Sequence, residues 1–210
     1  MVTAQLVREL LASHGKLMSQ TATEWTGAFP LPASLELYYQ EIGPYDITIE
    51  AHGNPFFLPS LAELWNLQAG YRWNGISGEP CPDWDDDWLV VAHEFEGAFI
   101  LSRKSGKVLH DLHGGGAWKP YQLFPDLNSM AACLADLGNI VASAGEDFTE
   151  DDCSIHQKYL DQAFVRLQKF LGSAATARFA LEKLSWVIHW GGLKIVHGRT
   201  FLSVRKGKDG

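Results

Sequence analysis

Residues 88–112 read WLVVAHEFEGAFILSRKSGKVLHDL, three apolar stretches with only turn-sized gaps between them. WLVVA is a compact apolar run of the kind that forms a central, buried strand, GAFILSR is a second strand and KVLHDL a third. Lys104-Ser105-Gly106 supplies a tight turn between the last two. A meander of this kind requires neighbouring strands to run antiparallel.

The remaining patterns are mostly helical. Leu6, Val7, Leu10 and Leu11 recur at helical spacing near the N-terminus. Pro32 suits a first helical turn, Leu35, Tyr38, Tyr39 and Ile42 share a face, and Gly43-Pro44 ends that helix. YDITIE (45–50) alternates as a strand does. Ser60 and Glu63 have capping-box spacing ahead of Leu61, Leu64 and Trp65, which predicts a short helix. HGNPFFLP (52–59) reads as a turn-rich connection, and 69–82 and 113–126 read as loops. Asn128 opens a helix carrying Met130, Leu134, Leu137 and Val141 on one face.

The chain changes character after residue 145. Ser154 and Gln157 fit a second capping box, and Leu160, Phe164, Leu167 and Leu171 make a stripe that ends at Gly172. A further helix is expected over 174–185, then short strands around Gly191-Gly192 and Gly198. The expected organisation is an α+β domain over 1–146, with a mainly antiparallel sheet flanked by helices, and an extension over 147–210 that is helical and then stranded. Charge divides similarly. Residues 1–150 carry 20 acidic and 7 basic side chains, whereas 151–210 carry 5 and 10. An acidic body repels phosphates, which argues against nucleic-acid binding and permits a basic partner.

No stretch approaches the ~20 apolar residues of a membrane span. The N-terminal segment, interrupted by Glu9, reads as an amphipathic helix rather than a signal peptide. Cys81, Cys133 and Cys153 form no CxxC, which points to free thiols in the cytoplasm.

The acidic charge is concentrated in one interval. Between Arg72 and Arg103 there is no lysine or arginine, yet Glu79, Asp83, Asp85, Asp86, Asp87, Glu94 and Glu96 all fall there. Asp83, Asp85, Asp87 and Glu94 occupy positions 1, 3, 5 and 12 of a calcium loop. Position 6 of such a loop requires glycine for its sharp turn. Here it is Trp88, at the entry to a strand, so calcium is not expected. Two readings of the segment stay open. It is a surface that steers a basic partner, made of Asp83, Asp85, Asp86, Asp87, Glu94 and Glu96 with Trp84 as an anchor, or its charge is neutralised within the fold, including by the basic C-terminal part.

Catalytic patterns fail in turn. His110 and His113 are spaced for zinc but lack a third ligand. His113 to Gly116 imitates an oxyanion-hole stretch without a G-x-S-x-G elbow. SGKVLH lacks the earlier glycine of a phosphate loop. The expectation is a non-catalytic binding protein without cofactor or metal.

The order of Pro32, Gly43, Trp88, Gly97, Gly106, Val108 and Trp118 resembles the SUKH superfamily over roughly residues 25–143. That resemblance implies an α+β domain and a binding role, most often as an immunity protein that neutralises a bacterial toxin, frequently a nuclease. Other relatives are regulators or interaction hubs. The chain departs from the pattern by continuing to residue 210, and by carrying His93 and Glu94 where members often have an Asp-containing turn.

Overall fold

The computed structural model describes residues 2–95, 97–112, 114 and 116–186, and the backbone of 193–196 and 199–202. The meander forms the centre of an α+β fold. Strands β1 (Ile47–Ile49), β2 (Phe56–Leu58), β3 (Trp88–His93), β4 (Gly97–Ser102), β5 (Val108–Leu112) and β6 (Tyr121–Phe124) make one sheet in chain order, each antiparallel to its neighbour.

Two of these strands lie where connections were expected. β2 occupies 56–58 within HGNPFFLP, and β6 occupies 121–124 within the segment read as loop. Both are short and stand between prolines, Pro55 and Pro59 for one and Pro120 and Pro125 for the other. Pairing creates them: β1 holds β2 over three residues, and β5 holds β6. No local period is long enough to announce a strand of that length.

β2 meets β3 at a single register position, Phe57 opposite His93. Farther along β3, the buried Gln68 takes the place of a neighbouring strand. Its side-chain amide donates to Val90 O at 2.8 Å and accepts from Val90 N at 2.9 Å. This explains why 60–68 is not the expected helix. Residues 61–65 are turns and 66–68 a 3-10 turn, shaped to deliver Gln68 to the sheet. Ser60 spends its N–H on Asp46 Oδ1 at 2.7 Å.

Helices cover one face of the sheet. They are α1 (Ala4–Leu11), α2 (Ala33–Glu41), α3 (Leu127–Ala144), α4 (Gln157–Leu171) and α5 (Ala174–Lys183). α3 is the hub, touching α1, α2, α4, β1 and β6. It starts two residues earlier than Asn128 suggests, because Asp126 caps it by accepting from Ser129 N at 2.7 Å. Gly138 lets α3 approach the sheet: a Cβ there would stand 2.3 Å from Ile49 Cγ2.

Residues 147–186 contribute side chains to the same core. Leu160, Ala163 and Leu167 of α4 are buried, and the fully buried Trp186 meets Phe148 at 5.4 Å between ring centroids. These side chains share one apolar cluster with Leu89, Phe99 and Val108 of the sheet. Arg166 of α4 also donates to the buried Asp136 of α3 at 2.6 Å. Burial pushes the Asp136 carboxyl above its ordinary range, and Arg166 opposes that shift. The expected Ser154–Gln157 box is not formed. His156 stands at the N-cap of α4, and Ser154 bonds Asp152 instead. Strands β7 (Leu193–Val196) and β8 (Arg199–Leu202) pair antiparallel. The glycines expected to turn them lie outside the described residues.

Candidate interaction surface

The second face of the sheet, carrying Val90, Ala98 and Ile100, packs among the described residues against loop side chains and Leu67 of the 3-10 turn rather than against an α-helix. The long segment 69–87 supplies Tyr71 and Trp84, and the segment before β6 supplies Trp118. Trp84 lies edge-on to Trp88 at 5.5 Å and to Trp118 at 5.3 Å, while Tyr71 meets Trp118 at 5.7 Å. Trp84 is 8% exposed, so its ring roofs the sheet rather than standing out as a free anchor. Edge-to-face rings of this kind add to simple area burial.

Trp84 thereby fixes the acidic loop around it, and the two arginines that bound the cation-free interval complete the hold. Arg72 donates to Asp86 O at 3.0 Å, to Trp88 O at 2.6 Å and to Asp86 Oδ1 at 3.0 Å. Arg103 donates through its guanidinium to the carbonyls of Asp86 and Asp87. Partial burial lowers the Arg72 pKa, against the pull of Asp86. Among the described residues, the basic side chains bonded to this loop are those of the interval's own flanks, Arg72 and Arg103.

The carboxylates divide by direction. Asp87 turns inward, accepting from Ser102 Oγ at 2.6 Å and from Lys104 N at 2.8 Å, which ties the loop to the β4–β5 turn. Asp83 and Asp85 are exposed, and the Asp86 side chain is 97% exposed despite its contact with Arg72. The guanidinium groups are spent on main-chain carbonyls below, so negative charge faces out.

Glu94 does not join them. It sits at the far end of β3 with a side chain only 13% exposed, and its Oε1 meets Nε2 of His110 at 3.0 Å. Nδ1 of the same ring meets the Tyr121 hydroxyl at 2.8 Å. With Tyr121 donating to Nδ1 and Nε2–H donating to Glu94, both ring nitrogens are satisfied. Burial raises the Tyr121 pKa, with Asp111, Glu94 and Glu182 adding to the rise, so the phenol keeps its proton. Gly97 is required beside this chain: a Cβ would stand 2.6 Å from His110 Nε2 and 2.8 Å from Glu94 Oε1. A histidine between a carboxylate and a phenol can serve as a general base. His110 has no accessible side-chain surface, and in this conformation the chain of bonds links β5 to β6 and to the β3–β4 hairpin.

The calcium spacing does not survive folding, because Asp87 and Glu94 lie at opposite ends of β3. Among the described residues no three His, Cys, Asp or Glu side chains are grouped to hold a metal. Glu96 and His113 lie outside the described residues. Arg72, Arg103 and Phe29, over whose ring both guanidinium groups lie, are the neighbours of the loop that local sequence reading misses. The signal present was the pair of arginines at the borders of the acidic interval. Among the described residues, no helix is long and apolar enough to cross a membrane. No protein-family model, no curated protein and no solved structure matches the chain.

Proposed function

We propose that this chain is a non-catalytic binding protein of the immunity type, whose SUKH-like domain occupies a bacterial toxin domain in the cytoplasm, a nuclease being the toxin class its surface suits best. The observation that supports the reading is the direction of charge on loop 83–87. Asp83, Asp85 and Asp86 face solvent, while Arg72 and Arg103 pin the main chain beneath them. A nuclease groove is built to attract phosphates, so a held array of carboxylates can enter it in their place. Opposite charge accelerates the encounter, and a rigid loop loses little conformational entropy when it docks.

The test is co-expression with a toxin encoded beside this gene. Growth should be restored by the native chain and not by one carrying Asp83→Lys, Asp85→Lys and Asp86→Lys, with both chains melting at similar temperatures. Absence of rescue by the native chain would sink the immunity reading and leave a scaffold or regulatory module in the same fold.

A further inference from the structure

Four aromatic side chains from three stretches of chain, Trp25 with Phe29, Trp65 and Trp73, meet beside the acidic loop. Trp25 lies 5.7 Å from Phe29 and 5.6 Å from Trp65, Phe29 lies 5.4 Å from Trp65, and Trp65 lies 5.0 Å from Trp73. All four residues are half-buried. Trp25 Nε1 donates to Phe29 O at 2.7 Å, which fixes that ring. The Arg103 guanidinium carbon stands 4.0 Å from the Phe29 centroid and that of Arg72 stands 5.5 Å away. The floor therefore already stacks guanidinium groups of its own chain.

Tryptophan with a carboxylate rim is a surface that favours a cation. The ring spacings choose among cations. Centroids 5.0–5.7 Å apart mean that the rings touch one another, so they enclose no cage for a quaternary ammonium. A flat group can lie across them. The rim is continuous with the floor, because Arg72 bonds the Asp86 carboxylate and lies over Phe29, and Trp73 follows it in sequence. Arg103 is turned to main-chain carbonyls and Arg72 to two carbonyls and Asp86 Oδ1, so the exposed Asp85 and the remaining Asp86 oxygen carry the outward charge.

We propose that this patch receives an arginine side chain of the protein partner, its guanidinium stacked on the half-buried indole of Trp65 or Trp73 and paired with the carboxylates of Asp85 and Asp86. The proposal rests on the binding reading above and names the contact within it. Arginine is favoured over lysine because its planar group can stack and form two parallel hydrogen bonds with a carboxylate.

The experiment titrates the full chain with a hexa-arginine peptide and, separately, a hexa-lysine peptide, following tryptophan fluorescence and heat. Hexa-arginine should bind more tightly. Trp73→Leu, which keeps apolar area and removes the ring, should weaken it roughly fivefold, and Asp85→Asn with Asp86→Asn should weaken it by a similar factor. The double Asn variant alters exposed side chains only, so it remains informative should Trp73→Leu fail to fold. Equal affinity for the two peptides, or no loss in either variant, would overturn the proposal. So would tighter binding by a chain with Arg199, Arg205, Lys206 and Lys208 changed to Gln, since the chain's own basic end would then be the occupant. Toxin rescue distinguishes the two ideas. Rescue that survives loss of hexa-arginine binding overturns this contact alone, whereas intact ring-dependent binding without rescue overturns the immunity reading alone.

Discussion

The two faces of the sheet are closed by different means. The helical face buries Leu89, Phe99, Leu101 and Val108 under α3 and its neighbours, aliphatic and aromatic groups with few polar demands. The loop face buries a smaller set, Trp84, Val90, Ala98 and Ile100. Its cover is not regular structure, so its backbone carbonyls have to find partners individually, and Arg72 and Arg103 supply them. The comparison teaches how differently the two faces are held. Helices stabilise the first face by area, while the second is held by few, specific bonds and displays the charges those bonds leave over.

The largest expected effect lies on the helical face. Phe99→Ala should destabilise the protein by about 3–5 kcal/mol, and Trp186→Ala by a similar amount, read from urea unfolding. Trp186 matters equally for chain organisation. A stop after residue 146 should expose the side of α3 that α4 covers and yield a chain that aggregates or melts without cooperativity; a cooperative transition in that fragment would contradict a shared core.

Trp84→Ala on the loop face should cost about 3 kcal/mol, near the lower end of the same range. Its partly exposed neighbours Tyr71, Trp88 and Trp118 can close over the gap. A loss under about 1 kcal/mol would show that Trp84 is a surface ring after all. Next comes Arg72→Met. It removes the bonds to two carbonyls and should cost about 2 kcal/mol, with faster amide exchange confined to residues 70–88. Exchange rising across the helical face as well would blur the division between the two.

Legibility in the sequence follows the same division. The strands 88–93, 97–102 and 108–112 and all five helices were readable because each has its own period or stop signal, such as Gly43 and Gly172. β2 and β6 were not readable, since three or four residues between prolines become strands only when a partner pairs with them. The acidic interval was visible, but its division was not. Spacing alone does not show Glu94 pointing to His110, Asp87 turning to Ser102, or Trp84 folding onto Ile100 and Val90. Each of those depends on which face of β3 the chain presents, and register decides that.

The smallest expected effect is one of pH. Burial lowers the pKa of His52, packed against Phe148, and of His93, packed against Phe57. A histidine harder to protonate in the folded state takes up protons preferentially on unfolding. Stability should therefore be full above the ordinary histidine pKa of about 6.5 and decline as pH falls below it. His52→Gln and His93→Gln should flatten that decline in thermal melts between about pH 7 and pH 5, and an unchanged slope would place its source elsewhere.

The central proposal is that the exposed carboxylates of Asp83, Asp85 and Asp86 recognise a basic partner, whereas Asp87 holds the loop. The most direct measurement is the affinity of the native chain and of the Asp83→Lys, Asp85→Lys, Asp86→Lys variant for any toxin domain found encoded beside the gene, with the melting temperature of each. The account predicts at least a tenfold loss of affinity, about 1.4 kcal/mol or more, driven mainly by slower association that converges with the native rate at high salt, with melting temperatures nearly equal. Unchanged affinity, or a variant that no longer folds, would contradict it.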